Sequence, residues 1–406
     1  MNLFKVHQKL ASHPLPDVAA ETRRRLAALE VRVPAGPVAV TAGSRGIANI
    51  AVILREVGVW LRAQGAQPFL APCMGSHNGA TAEGQRAMVE SLGMTEAATG
   101  MPVRSGMEAV CVGRTAAGDV LMDRYCFEAA GVVVVNRLKL HTSFSGPYES
   151  GLMKMLVVGM GKIRAAEAFH RVPHTEKSAC LAEQGRQVLD TGKILAGLAI
   201  IEDGLDQTAE LHALRPDEIP VREPALLDRC RAYFPRLPVD QLNVLVVDEI
   251  GKNFSGTGMD TNVIGCRGFK REIETLKPEI RVVAALGLSV AAQGNALGVG
   301  LADVITRRLR AAIDERKTLV NVLTTGELGR GKIPLTLDDD EVLVRTLQER
   351  FGGARWMWIP DTLHLQTLFV TPDLCDELRR HASCRVEAAP VALAFVNGRH
   401  QLRFEG

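Results

Sequence analysis

The 406-residue sequence is poor in aromatic side chains, which make up 4% of it, and nearly free of net charge, with 48 basic residues set against 46 acidic ones. The first scarcity argues against the aromatic platforms on which single-stranded nucleic acids stack. The second argues against a nucleic-acid or membrane-surface footprint, since the only block of like charge is Arg23, Arg24 and Arg25. No stretch offers about twenty uninterrupted apolar residues, the length a membrane-spanning helix needs. The first residues, MNLFKVHQKLASHPLPDVAAETRRR, contain no apolar core of signal-peptide length. None of the eight cysteines forms the CxxC pair used by zinc and redox sites. A soluble, cytoplasmic protein with reduced thiols is expected, with neither nucleic acid nor membrane as partner.

What is present is apolar material, 47% of the chain, enough for two cores because single domains stop growing near roughly 250 residues. Short β-branched runs alternate with longer amphipathic segments, the pattern of strand and crossover helix. The fold expected is α/β: two α/β domains with mostly parallel sheets and the active site in the cleft between them. The proline-rich stretch from Pro216 to Pro238 divides them into an N-terminal domain, 1–235, and a C-terminal domain, 240–406. Strands are expected at 38–41, 68–71, 109–112, 132–135, 194–201, 243–247, 281–285 and 319–323. Helices are expected at 47–63, 80–91, 177–190, 301–313 and 341–349.

Four constellations are candidates to carry chemistry. In Thr41 to Ile50, TAGSRGIANI, a strand ends in glycine and serine before a helix, a turn that aims backbone N–H groups at an anion, with Arg45 as an added fork. The glycine spacing is neither a dinucleotide fingerprint nor a phosphate-binding loop. Ala71 to Gln85, APCMGSHNGATAEGQ, repeats the strand-turn-helix pattern. It sets His77 before a helix, whose positive end favours the neutral imidazole a general base needs. Each of these two segments also reads as an ordinary strand-to-helix turn.

The third and most informative stretch runs from Val132 to His170, VVVVNRLKLHTSFSGPYESGLMKMLVVGMGKIRAAEAFH. The valine run is apolar on both faces and predicts a central strand, whose C-terminal end delivers Asn136 to His141 to the edge where open sheets bind ligands. Lys154 lies among Met153, Met155, Leu156, Val157 and Val158, surroundings that strip hydration from an amine and lower its pKa, unless the side chain snorkels outward as a structural lysine. His141 precedes it and His170 follows. His170 and His174 mimic a two-histidine zinc spacing, but Pro173 breaks the helix that would put both rings on one face. The fourth, Val246 to Gly265, reads as a strand followed by a glycine-rich polar loop, where Lys252, Asn253, Asp260 and Asn262 are candidates to reach a substrate, or else solvated polar residues of an ordinary loop.

Taken together, Gly43-Ser44-Arg45, Gly75-Ser76-His77-Asn78-Gly79-Ala80-Thr81 and the block Val132 to His170 resemble the nickel-dependent lactate racemase family, which includes other 2-hydroxy-acid racemases and epimerases. The resemblance implies a nickel pincer nucleotide (pyridinium-3,5-bisthiocarboxylic acid mononucleotide nickel) held covalently by Lys154 within Ser150-Gly151-Leu152-Met153-Lys154. It implies His170 as the metal ligand, His77 and His141 as acid/base partners, and Arg45, Ser150 and Gly151 beside the cofactor. Arg45 and Tyr148, with Lys252 and Asp260, are the expected contacts of a small 2-hydroxy-acid substrate, and cofactor-synthesis proteins are the expected partners. The sequence departs from the family at Gly146-Pro147-Tyr148-Glu149, which lengthens the interval to Lys154, and at Leu152 in place of a second glycine. The pocket wall implied is therefore a different one from that of the founding lactate racemases. Two other readings stand beside this one: a divalent-metal hydrolase or lyase with His77, His141 and His170 as direct ligands, and a hydroxy-acid or cofactor-binding protein without turnover.

Overall fold

The computed structural model describes residues 1–267 and 274–404. The chain divides into two compact units, one of residues 11–234 and the other of residues 1–10 and 235–406. The first ten residues therefore fall outside the unit that follows them, unlike the domain 1–235 expected from sequence. Asn2–Gln8 pairs antiparallel with Thr367–Val370 on one side and Cys384–Ala392 on the other.

The unit 11–234 is built on a five-stranded sheet in the order Ala66–Pro72, Gly36–Ala42, Gly131–Arg137, Ile194–Glu202, Thr208–Leu214. The first four strands are parallel and the last is antiparallel. The expected central strand is central. Val132, Val133, Val134 and Val135 are all buried, the first and third in the core on one face and the second and fourth in the core on the other. Each valine so buried contributes roughly 1.5–3 kcal/mol, which is why a run with no polar alternation settles between two helical layers. The chain order of the strands reverses between Gly36–Ala42 and Gly131–Arg137, and the crevice beyond the carboxyl ends of such a pair is where open parallel sheets take ligands. Ala109–Thr115 is a strand as expected, but it forms a separate two-stranded antiparallel hairpin with Gly118–Asp123.

The other unit carries an eight-stranded sheet in the order Leu335–Leu337, Val304–Thr306, Glu279–Leu288, Gln241–Ile250, Trp356–Ile359, Thr367–Val370, Asn2–Gln8, Cys384–Ala392. Its first five strands are parallel and the rest antiparallel. Two expectations fail here. The run 319–323 lies in a helix, Glu315–Thr325, because Asp314 caps its start by accepting from the Lys317 N–H and Gly326 ends it at a φ of 73°. Capping decides over β-branched content, and Leu319, Val320 and Leu323 are left exposed. The helix expected over 301–313 is split: Val304–Thr306 pairs in the sheet, and a short helix starts only after the Thr306 cap. Among the described residues no helix is long and apolar enough to cross a membrane.

The proline-rich stretch read as a boundary contains a helix, Ile219–Tyr233, with Pro220 in its first turn and Pro224 further inside. Proline is tolerated in a first turn because the N–H it lacks has no partner within the helix there. This helix packs against Ile194–Glu202 and against the Lys154 segment.

Candidate active site

Four segments of the unit 11–234 meet beyond the carboxyl ends of its parallel strands. The first leaves Gly36–Ala42, where the Thr41 hydroxyl donates to the Val135 carbonyl and accepts the Val135 N–H, locking the two strands at the reversal point. Gly43 follows, with Met155 and Asn136 against it. The helix then begins at Ile50, three residues later than expected, after Asn49 in a left-handed conformation with no side-chain cap. The Ala48 N–H is already taken by a carboxylate oxygen of Glu202 at 2.6 Å, and the other oxygen pairs with Arg137. A protein carboxylate thus occupies part of the backbone anion site expected from the sequence. Arg45 has no hydrogen-bond or ion-pair partner among the described residues. Its pKa is lowered by the protein packed around it and by Arg137, so it is an uncompensated cation at the strand reversal.

The second segment leaves Ala66–Pro72. Gly75, at a φ of 61°, sits 3.1 Å from the Ala166 methyl by its would-be Cβ, so both conformation and space require glycine. The Gln85 amide donates to the Gly75 carbonyl at 2.9 Å. The Lys162 ammonium donates to the Pro72 carbonyl at 2.5 Å and lies 2.9 Å from Asp123. The turn so fixed brings His77 Nδ1 against the Ser44 hydroxyl, joining the first two segments. His77 precedes only a short turn, Asn78–Ala80, and the helix Ala82–Ser91 is capped by Thr81. The expected helix-dipole effect on His77 therefore falls four residues further on.

The third segment leaves Gly131–Arg137 and returns on itself, with Lys139 and Ser150 exchanging backbone hydrogen bonds at 2.8 and 3.2 Å. His141 lies in the loop between them. Its backbone N–H is held by a Glu149 oxygen at 2.6 Å, and its ring lies 4.2 Å from that of Phe144. The Ser143 N–H donates to His141 Nδ1 at 3.0 Å, which assigns the proton of the neutral ring to Nε2. Glu149 is fully buried, and its second oxygen accepts from Arg231 at 2.8 Å. Tyr148 is buried, with its hydroxyl donated to the Pro220 carbonyl at 2.5 Å.

The fourth segment carries Lys154. Leu152–Lys154 is a single helical turn that widens at once into a π-helical turn, Met155–Gly159, closed by Met160 N–H on the Met155 carbonyl at 2.9 Å. Such widened turns recur at functional sites because they re-aim a side chain without ending the helix. The Lys154 amine has no hydrogen-bond or ion-pair partner among the described residues. Its pKa is lowered to about 7, first by burial and then by Arg45 and Lys177, with Glu149 opposing. About half of it is therefore unprotonated near neutrality.

The helix Lys162–Arg171 presents His170 in its last turn. Solvent reaches His170, yet protein packed around the ring, Lys177, Lys154 and His174 push its pKa down to about 4. The ring is neutral at ordinary pH and free to offer a nitrogen lone pair. The helix ends before Pro173, and His174 lies in a separate short turn, so the two-histidine zinc spacing is not on one helix face.

Arg45, Lys154 and His170 are thus electrostatically coupled, and His77 is joined to the Arg45 turn through Ser44. Lys252 and Asp260 belong to the other unit. There the Lys252 amine bonds Asn321, and Asp260 is buried with one oxygen accepting the backbone and side-chain N–H groups of Asn262. Sequence reading missed Glu149, Lys162, Lys177, Glu223 and Arg231. Two of these had a local signal: Lys162, which directly follows the apolar run closed by Gly161, and Glu149, in the segment that lengthens the interval to Lys154. Among the described residues no three His, Cys, Asp or Glu side chains converge as metal ligands. The groups present suit a metal that arrives in its own organic ligand: one free amine to tether it, one neutral imidazole to complete its coordination, and one arginine for an anion.

No protein-family model matches the chain, and no curated protein matches it in sequence. Among solved structures, the lactate racemase apoprotein from Thermoanaerobacterium thermosaccharolyticum superposes with a TM-score of 0.54, covering 89% of this chain and 99% of that one at 10% identity. A Thermotoga maritima protein determined by the Northeast Structural Genomics Consortium superposes with a TM-score of 0.50 over 68% of this chain and 72% of that one, at 13% identity. At such identities the likeness is one of fold.

Proposed function

We propose that this chain is an isomerase of the nickel-dependent lactate racemase type, inverting the C2 centre of a small 2-hydroxy acid with a nickel pincer nucleotide held covalently on Lys154. The observation that carries the reading is the Lys154 amine, unpartnered among the described residues and lowered to about 7 by burial, Arg45 and Lys177. An ordinary surface lysine is protonated at that pH and cannot act as a nucleophile; this one can. The shared fold of the lactate racemase apoprotein supports the assignment.

When bound, the cofactor would supply a reversible hydride acceptor, which inversion by way of a 2-keto acid requires in addition to proton transfer. His170, neutral above about pH 5 because its pKa lies near 4, offers the metal a nitrogen without competition from a proton. Arg45, which no carboxylate pairs among the described residues, holds the substrate carboxylate as a fork. His77 takes the hydroxyl proton on Nε2 while its Nδ1 hydrogen-bonds Ser44. His141 presents Nε2–H, its Nδ1 being taken by the Ser143 N–H, and is suited to donate to the same oxygen when the carbonyl has formed. His77 returns that proton to the oxygen of the inverted product; for the opposite enantiomer the parts exchange, which moves the His141 proton to Nδ1 in place of the Ser143 bond.

The chain should be produced together with cofactor-synthesis proteins and the Lys154 peptide weighed. A nucleotide adduct with one nickel per chain, and exchange of the Cα hydrogen in a panel of short and sugar-derived 2-hydroxy acids, are expected. An unmodified lysine together with tightly bound zinc would sink the proposal in favour of a metal hydrolase or lyase. An adduct without exchange on any acid would leave a binding protein.

A further inference from the structure

The helix Ile219–Tyr233 places one carboxyl group, Glu223, among apolar side chains, where it is 2% exposed. Its Oε2 accepts the Met153 N–H at 3.0 Å. This is one of the first N–H groups of the turn that carries Lys154, groups a helix cannot satisfy from within. Gly151 has a φ of −171°, an extended conformation open to any residue. Yet a Cβ there would lie 2.4 Å from Glu223 Oε1. The glycine that precedes Lys154 is therefore needed to admit this carboxyl, not to permit a turn.

We propose that Glu223 is the positioning residue of Lys154, holding the start of its turn so that the amine stays inside the protein. This deepens the reading of Lys154 as the anchoring amine and rests on it. The test is made without cofactor, so a missing adduct in the natural chain would overturn that reading while leaving this result intact.

The full chain is pulsed with an amine-acylating succinimidyl ester across a pH series, and acylation of Lys154 is followed by peptide mass. Half-maximal reactivity is expected near pH 7 in the natural chain. In Glu223→Ala the turn loses its acceptor and the amine gains water, so the midpoint should rise by about one pH unit or more. Glu223→Gln keeps an acceptor oxygen and should leave the midpoint in place. Gly151→Ala displaces the carboxyl without deleting it, and should shift the midpoint upward as Glu223→Ala does. A cooperatively melting Glu223→Ala with an unshifted midpoint would overturn the proposal. So would an unshifted Gly151→Ala, which decides the matter if the first variant does not fold. A shift in Glu223→Gln as large as that in Glu223→Ala would also count against it.

Discussion

The buried carboxylate of Glu149 holds the backbone of His141, accepting its N–H at 2.6 Å while Arg231 clamps the other oxygen at 2.8 Å. The segment that lengthens the interval to Lys154 is thus tied to the placing of a histidine, through an arginine on the same helix that supplies Glu223. Arg231→Ala leaves that carboxylate buried without its cation. The expected cost is about 1–3 kcal/mol in denaturant unfolding, with a lower kcat and a smaller change in KM. A variant that loses stability but keeps its full kcat would show that the pair serves folding alone.

His77→Ala and His141→Ala should each remove racemisation and leave the Lys154 adduct in place, whereas Lys154→Ala should lose the adduct. The readouts are Cα-hydrogen exchange and peptide mass on the loaded protein. Exchange that persists in both histidine variants would contradict their acid/base assignment.

Lys154 also makes a prediction about stability. Its folded pKa, about 7, lies below the ordinary value of 10.5, so between these the unfolded chain binds more protons and stability rises with pH. Below about pH 7 both states are protonated and the whole penalty of the buried charge is present. Lys154→Met should therefore raise the melting temperature of the cofactor-free protein more at about pH 6 than at about pH 10. An equal gain at both would mean the amine is solvated in the folded state.

Lys162 and Asp123 form an ion pair at 2.9 Å with both side chains almost wholly buried. Lys162→Met strands a buried carboxylate, for which a loss of about 3–5 kcal/mol is expected in urea unfolding. The double change Lys162→Met with Asp123→Leu should recover much of it, because apolar replacement of a whole buried pair costs little. Failure of the second change to recover any stability would point instead to the lost bond on Pro72.

The amino-acid sequence by itself determined the central strand, since four consecutive valines have no polar face to offer water and are stable only between two layers. It also determined that Arg45, His77 and His141 stand just beyond strand ends, because each follows an apolar run closed by a turn of small or polar residues. The helix at Glu315–Thr325 was legible too, had the Asp314 and Gly326 caps been weighed above the β-branched run between them. What only the tertiary structure decided is which partners those residues meet. Glu223 reaches Met153 across 70 residues and Arg231 reaches Glu149 across 82, and no local pattern encodes a contact between a helix face and a turn so far apart in the chain. The same holds for Asn2–Gln8, whose sheet is chosen by strands at the far end of the sequence, Thr367–Val370 and Cys384–Ala392. Short-range order follows from side-chain period and capping, whereas the burial of a charge and the pKa of Lys154 depend on what the rest of the chain brings to it.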